Sequence, residues 1–298
     1  MAVTKVTTFE SIKDIRAENP AAIAEALASR QKRDLIRGDG RLLIIAADHP
    51  ARGAIAVGSN PTAMGSRREM LERFAEALSR PGVDGVLGTP EVIDDLALMG
   101  LLDDKIVVGS MNRGGLRGST FEFDDRFTGY SIEAIKNQGL DFAKTLLRIN
   151  LKDDATVATL EANAKAVDEA VEHQIPIMLE PFMSDWVNGK VVNDLSTEAV
   201  VLSVAIAQGL GSSSAYTWLK LPVAPNMEKV MEATTLPTML LGGDVDGDQE
   251  KAFESWNGAV SLPGVRGLVV GRSLLYPPSG DVSQAVDIAA KMVHGSNL

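Results

Sequence analysis

Several ionisable side chains of this 298-residue chain stand inside, or at the end of, apolar runs, where charge is least comfortable. Lys220 lies in Tyr-Thr-Trp-Leu-Lys-Leu over 216–221, and Lys144 in Ala-Lys-Thr-Leu-Leu-Arg over 143–148. Glu180 ends Ile-Pro-Ile-Met-Leu-Glu over 175–180, and Asp48 with His49 follows Leu-Leu-Ile-Ile-Ala-Ala over 42–47. Short apolar runs bounded by Gly, Pro and Ser read as buried strands. An ammonium taken out of water escapes the cost by lowering its pKa. The neutral amine that results can attack a carbonyl and form a Schiff base. For Lys220 alone two readings stand: a buried nucleophile of that kind, or a lysine past the strand end that snorkels to solvent.

The two-residue period of a strand puts Tyr216, Trp218 and Lys220 on one face, and Lys144, Leu146 and Arg148 on another. If both faces line one cavity, each lysine disfavours the charge of the other, and one becomes nucleophilic near neutral pH. Lys220, among the more apolar neighbours, is the expected nucleophile, with Lys144 staying charged. Asp48 and Glu180 would move protons and bind hydroxyls. One such group could be a structural ion pair, but several on successive strand ends favour a functional site.

The elements that must carry these residues alternate in type. Strands are predicted over 41–47, 84–88, 105–110, 142–149, 175–180, 216–221, 237–241 and 267–271. Helices are predicted over 62–79, 91–99, 131–138, 154–173, 197–209, 227–234, 248–257 and 282–293. Two more helices, over 9–16 and 20–37, precede the first strand, the second with Asn19 as N-cap and Pro20 at its first position. Eight apolar strands, each followed by a helix with no linker between, predict a single (β/α)8 barrel over 41–298 behind an N-terminal helical extension over 1–40. A doubly wound sheet would carry a glycine fingerprint after its first strand, and none is present.

Active sites of such barrels form at the C-terminal ends of the strands. The last two strands end in Gly242-Gly243-Asp244 and Gly271-Arg272-Ser273. Backbone amides in such turns, with a bidentate arginine beside them, bind phosphate. The long polar loop over 112–130 is of a length that is usually functional or mobile. His49, Arg52, Arg113 and Arg148 are expected to contact substrate, the arginines being suited to a carboxylate. Within that loop, Asp124 and Asp125 read as a solvated acidic face, and the helix-end histidines His173 and His294 are given no role. The run Asp244-Val245-Asp246-Gly247-Asp248 fails as a calcium loop because its glycine stands at the fourth position instead of the sixth.

Totals narrow the function classes. The absence of cysteine removes disulfides, thiolate nucleophiles and cysteine zinc sites, and three scattered histidines do not build a metal centre. A net charge of −11 opposes a nucleic-acid or anionic-membrane surface. With neither a membrane-length apolar run nor a signal peptide, a cytoplasmic protein is expected, without a cofactor or metal, acting on a small molecule and forming a homo-oligomer.

Taken together, Lys220 in Trp-Leu-Lys-Leu-Pro-Val, Lys144, Glu180 in Met-Leu-Glu-Pro, Gly271-Arg272 after Leu-Val-Val, and Asp48-His49 resemble the class I barrel aldolases. The pattern is similar to tagatose-bisphosphate and sulfofructose-phosphate aldolases, and more distantly to archaeal-type fructose-bisphosphate aldolases. Two positions differ from the tagatose type: His49-Pro50-Ala51-Arg52-Gly53 stands in place of Gln-Arg-Gly, and Pro222 in place of an acid. Along its whole length the chain resembles a group of bacterial barrel aldolases found with myo-inositol catabolism. The resemblance implies Lys220 as Schiff-base lysine, Lys144 and Glu180 as partners, Asp48 as substrate-binding acid, and Gly243, Gly271 and Arg272 at a phosphate. It also implies cleavage of 5-dehydro-2-deoxygluconate 6-phosphate to dihydroxyacetone phosphate and malonate semialdehyde. Other sugar-phosphate aldolases, a metal-dependent enzyme of the same fold, and a non-catalytic sugar-phosphate-binding barrel are the rival readings.

Overall fold

A computed structural model describes residues 8–112, 115–242 and 249–295. Strands β1 (Leu42–Ala47), β2 (Gly85–Gly88), β3 (Ile106–Ser110), β4 (Phe142–Ile149) and β5 (Ile177–Val187) are followed by a short β6 (Lys190–Asn193). Strands β7 (Thr217–Leu221), β8 (Thr238–Leu241) and β9 (Val265–Val270) complete the set. The order β4-β3-β2-β1-β9-β8-β7-β5, closed by β4 against β5, is a parallel eight-stranded barrel. It is the predicted (β/α)8 architecture, because strands covered on both faces can be apolar throughout while the closed sheet leaves no edge.

Helices α1 (Phe9–Glu18) and α2 (Ala21–Ser29) precede the barrel. Around it lie α3 (Arg67–Ser79), α4 (Pro90–Leu98), α5 (Ile132–Asn137), α6 (Ala155–His173), α7 (Thr197–Ala207), α8 (Met227–Glu232), α9 (Gln249–Val260), the single-turn α10 (Arg272–Leu275) and α11 (Val282–His294). Two apolar layers result. The larger fills the space between strands and helices. The smaller lies inside the barrel, where Leu42, Ile44, Leu87, Phe142, Met178 and Met239 pack with Trp218. Phe142 and Trp218 meet edge to face with ring centroids 5.4 Å apart, one strand period below Lys144 and Lys220.

Helix α2 stops at Ser29, well short of the predicted position 37, and Asn19 caps the C-terminus of α1. Arg30 explains the early stop. Its buried guanidinium is drawn to Asp141 Oδ2 at 2.7 Å and to the carbonyls of Lys105 and Gly139, which needs an extended backbone. Farther on, Arg33 pairs with Asp84 at 2.6 Å and Leu35 packs against the interior layer. The lead-in thus covers the bottom of the barrel, leaving the mouth open.

The largest departure from the sequence reading is in β5, which runs to Val187 instead of ending at Glu180 and folds back as β6. The turn is Asn188-Gly189, both with positive φ (50° and 73°), the two-residue hairpin chemistry that matches strand twist. Trp186 anchors this arm: its ring meets Phe123 at 5.3 Å and its Nε1 donates to Asp153 Oδ2 at 3.0 Å. Among the described residues no helix is long and apolar enough to cross a membrane.

Candidate active site

A cavity of about 610 Å³ opens at the C-terminal ends of the strands. Asp48, His49, Arg52, Lys144, Arg148, Glu180, Lys220, Gly242, Gly271 and Arg272 all line it, so most of the residues singled out above converge there. Arg113 and Gly243, also expected in the site, lie outside the described residues.

At the centre is a chain of alternating charge. The Lys220 ammonium nitrogen donates to Glu180 Oε1, and Lys144 Nζ lies 2.5 Å from Glu180 Oε2 and 2.8 Å from Asp48 Oδ2. Ser110 Oγ also donates to Asp48 Oδ2, at 3.3 Å. Both lysines are only 3% exposed, so Lys220 is the buried amine of the first reading and not the snorkelling one. Burial drives the Lys220 pKa below the ordinary lysine range; Glu180 opposes the shift and the Lys144 cation adds to it. Burial pulls Lys144 down as well, but Asp48 and Glu180 outweigh it and hold that pKa above the usual value. Asp48 and Glu180 resist the upward push of burial, chiefly through Lys144, and stay below the ordinary carboxylate range. The two lysines are therefore different: one is a fixed cation with two anionic partners, the other shares one anion and loses its proton more easily.

His49 sits 3.5 Å from Asp48 Oδ1 through Nδ1, and burial pushes its pKa down to about 3, so it is neutral at any ordinary pH. Gly271 forms the turn between β9 and α10. A Cβ there would come within 2.5 Å of the Ala46 carbonyl oxygen, so only glycine allows this strand end to close on β1. The same turn delivers Arg272, whose pKa burial and the neighbouring Arg52 and Arg117 push down to about 10.

Arg148 differs from its expected use. It is 3% exposed, and all three guanidinium nitrogens already donate within the protein. Nε and Nη2 reach Asp125 at 2.9 and 2.6 Å, and Nη1 reaches Glu122 Oε1 at 3.1 Å. Nη2 also donates to the backbone carbonyls of Glu122 and Gly115. The side chain forms part of the cavity wall, but its hydrogen bonds hold the loop over 115–125. Asp125 is correspondingly 1% exposed, which corrects its reading as a solvated loop acid. Only Asp124, paired with Arg126 at 2.5 Å, fits that description. His294 is likewise engaged, 2.9 Å from Asp39 and 3.1 Å from Asp84.

The sequence reading missed Arg117, Glu122 and the arm residues Val191, Val192 and Asn193, all of which line the cavity. Asn188-Gly189 between Trp186-Val187 and Lys190-Val191-Val192 was a usable hairpin signal. Nothing local marks Glu122, which is found only through Arg148.

The fold and the cavity define a (β/α)8 barrel with a buried lysine pair bridged by carboxylates at its C-terminal mouth. Its sequence from 40 to 290 matches the model of the Cgl0159-like family, and the chain belongs to that family. The crystal structure of Cgl0159 from Corynebacterium glutamicum (Brevibacterium flavum) is 65% identical over 97% of each chain, with a TM-score of 0.95. An archaeal fructose 1,6-bisphosphate aldolase aligns over 92% of this chain and 99% of its own, at 20% identity and a TM-score of 0.62. The archaeal aldolase with its catalytic lysine covalently bound to the carbinolamine intermediate of the substrate aligns equally well, with 20% identity, 92% and 100% coverage and a TM-score of 0.62. Fructose-bisphosphate aldolase from Slackia heliotrinireducens aligns over 98% and 91%, at 14% identity and a TM-score of 0.63. At these identities the aldolase likeness is one of fold. No curated protein matches the chain.

Proposed function

We propose that the protein is a class I aldolase in which Lys220 forms a Schiff base with the ketone of a phosphorylated keto sugar acid. One observation carries this reading: a fully buried amine with a lowered pKa, held by Glu180 beside a second lysine that keeps its charge. The charges are equal in number, two cations and two anions, but Glu180 is shared between the lysines and Asp48 pairs with Lys144, so the arrangement depresses one amine specifically. The fold shared with Schiff-base aldolases supports the reading.

The nitrogen lone pair of Lys220 attacks the ketone carbon. The carbinolamine then loses its oxygen as water, the Lys144 ammonium and Glu180 being within reach to transfer the protons. In the iminium, the bond between the α and β carbons breaks and its electron pair moves toward nitrogen, giving an enamine. The β-hydroxyl proton passes to a carboxylate, Asp48 or Glu180, as the aldehyde forms. Protonation of the enamine carbon and hydrolysis by water release the ketone and the free lysine. Gly242, Gly271 and Arg272 would hold the phosphate, fixing the carbonyl beside the amine so that attack becomes effectively unimolecular. The substrate we favour is 5-dehydro-2-deoxygluconate 6-phosphate, cleaved to dihydroxyacetone phosphate and malonate semialdehyde.

Borohydride reduction with dihydroxyacetone phosphate, followed by peptide mass mapping, is expected to put the adduct on Lys220 and to give none in Lys220→Met. An adduct elsewhere, or none in the wild type, sinks the mechanism. A substrate panel with tagatose, fructose and sulfofructose phosphates tests the substrate separately.

A further inference from the structure

Arg272 shares its place at the β9 turn with other cations. Strands β1 and β9 are neighbours, with Ile45 opposite Val270, so the turn after β1 ends beside Gly271 and Arg272. That turn is the single 3-10 segment His49–Arg52, with Pro50 in its first turn and Gly53 closing it at a φ of 83° that suits glycine. It brings Arg52 to the cavity wall, and the loop after β3 brings Arg117 to the same cavity. The Arg117 N–H donates to the Arg52 carbonyl at 2.9 Å, which ties the two segments together. Both guanidiniums are close enough to Arg272 to act on its charge. The loop is braced from behind: Glu122 Oε2 accepts the Gly118 N–H at 2.7 Å, and Arg148 grips Glu122.

Three cations gathered at one rim repel one another, a cost that a bound anion removes. Elsewhere in the fold Arg30, Arg33, Arg73 and Arg148 each meet a carboxylate, in a chain with 40 Asp and Glu against 29 Lys and Arg. Among the described residues neither Arg52 nor Arg117 has such an ion pair. Asp48, the acid just before the same turn, gives its short contact to Lys144. A guanidinium fork meets phosphate oxygens two at a time, and a phosphate monoester carries its second negative charge above about pH 6. Resting on the phosphate placement above, we infer that Arg52 and Arg117 complete the Arg272 site as a three-arginine cradle that selects the phosphate dianion. The preferred substrates are phosphate monoesters, over sulfate esters and other singly charged tails of the same size.

Glycerol 1-phosphate has no carbonyl and cannot form an imine, so its calorimetric binding tests the cradle apart from Lys220. Wild type is expected to bind it, with affinity falling roughly 10-fold from about pH 7.5 to about pH 5 as the ester loses its second charge. Over that range His49 stays neutral, Asp48 and Glu180 stay ionised and Lys144 stays charged. A proton gained by Lys220 would strengthen anion binding, so the loss belongs to the ligand. Arg52→Gln and Arg117→Gln should each weaken binding roughly 10–100-fold, with partial recovery in Arg117→Lys, which keeps the charge without the fork. A loss confined to Arg272→Gln overturns the inference, as does a sulfate ester of glycerol that binds as tightly as the phosphate. If wild type binds no glycerol phosphate the cradle falls, while a borohydride adduct of unphosphorylated dihydroxyacetone on Lys220 would still uphold the Schiff base. Arginine-dependent binding with no such adduct supports the cradle and removes the aldolase.

Discussion

At the scale of single residues, the difference between Lys220 and Lys144 is one of partners, since both are equally buried. Lys144 touches two carboxylates and Lys220 one, and in a low-dielectric interior that one contact decides which nitrogen keeps its proton. The balance gives two pH predictions of opposite sign. In the proposed mechanism only unprotonated Lys220 reacts, so the acid limb of kcat/KM is expected to follow its pKa. Lys144→Met removes a cation that depresses that pKa, so the limb should move to higher pH, with a loss of roughly 100-fold or more. Glu180→Gln removes the anion that raises it, so the limb should move to lower pH. Limbs that stay put, or that move the same way in both variants, would show that Lys220 is not the titrating group. Lys220 and Lys144 stood out in the sequence because a charge inside an apolar run is chemically conspicuous. Arg148 stood out on the same ground, yet its carboxylate partners are 23 and 26 residues away along the chain, and no strand pattern announces them.

Elements set what these residues can reach. The barrel strands bring Asp48, Lys144, Glu180 and Lys220 to one level because each is inward-facing and the next inward residue below is apolar: Ala46, Phe142, Met178 and Trp218. The 115–130 loop and the β5–β6 arm then line the site, and Trp186 on Phe123 joins them. Arg148 holds the first of these. Arg148→Met would leave Glu122 and Asp125 buried without their cation, a loss of about 3–5 kcal/mol by analogy with other broken buried pairs. Urea unfolding should show it, and limited proteolysis should cut first within 112–130. Unchanged stability would mean the loop is held by other contacts. The strands were legible as apolar runs, whereas the arm was not, because the run was closed at Glu180 once a polar residue appeared. In the barrel that residue marks the rim, and the strand continues beyond it.

Taken as a whole, the molecule is held at the end away from the mouth by a clasp between its first and last segments. His294, the last residue of α11, bridges Asp39 in the lead-in and Asp84 before β2, with Gly82 contributing its carbonyl and Arg33 pairing with the same Asp84. Burial disfavours the imidazolium, but hydrogen bonds to Asp84 and Asp39 outweigh it and raise the pKa. A raised folded-state pKa contributes stability that is complete below the unfolded value near 6.5 and is lost as pH climbs through the folded one. His294→Gln should therefore lower Tm most at about pH 5.5–6 and progressively less toward pH 9. A Tm difference independent of pH would show that the clasp works through packing alone.

By itself the sequence determined the barrel, the set of inward acids and bases, and the glycine turn at Gly271. Those features are written in periodicity, polarity and turn chemistry, all of which act between near neighbours. Tertiary structure alone decided that Arg148 serves the loop, that Asp125 is buried, that Arg117 stands beside Arg52, and that a hairpin covers the mouth. The reason is physical: a charged side chain is defined by its partner, and in a closed barrel the partner arrives from another strand or loop at a distance in sequence that no local pattern encodes.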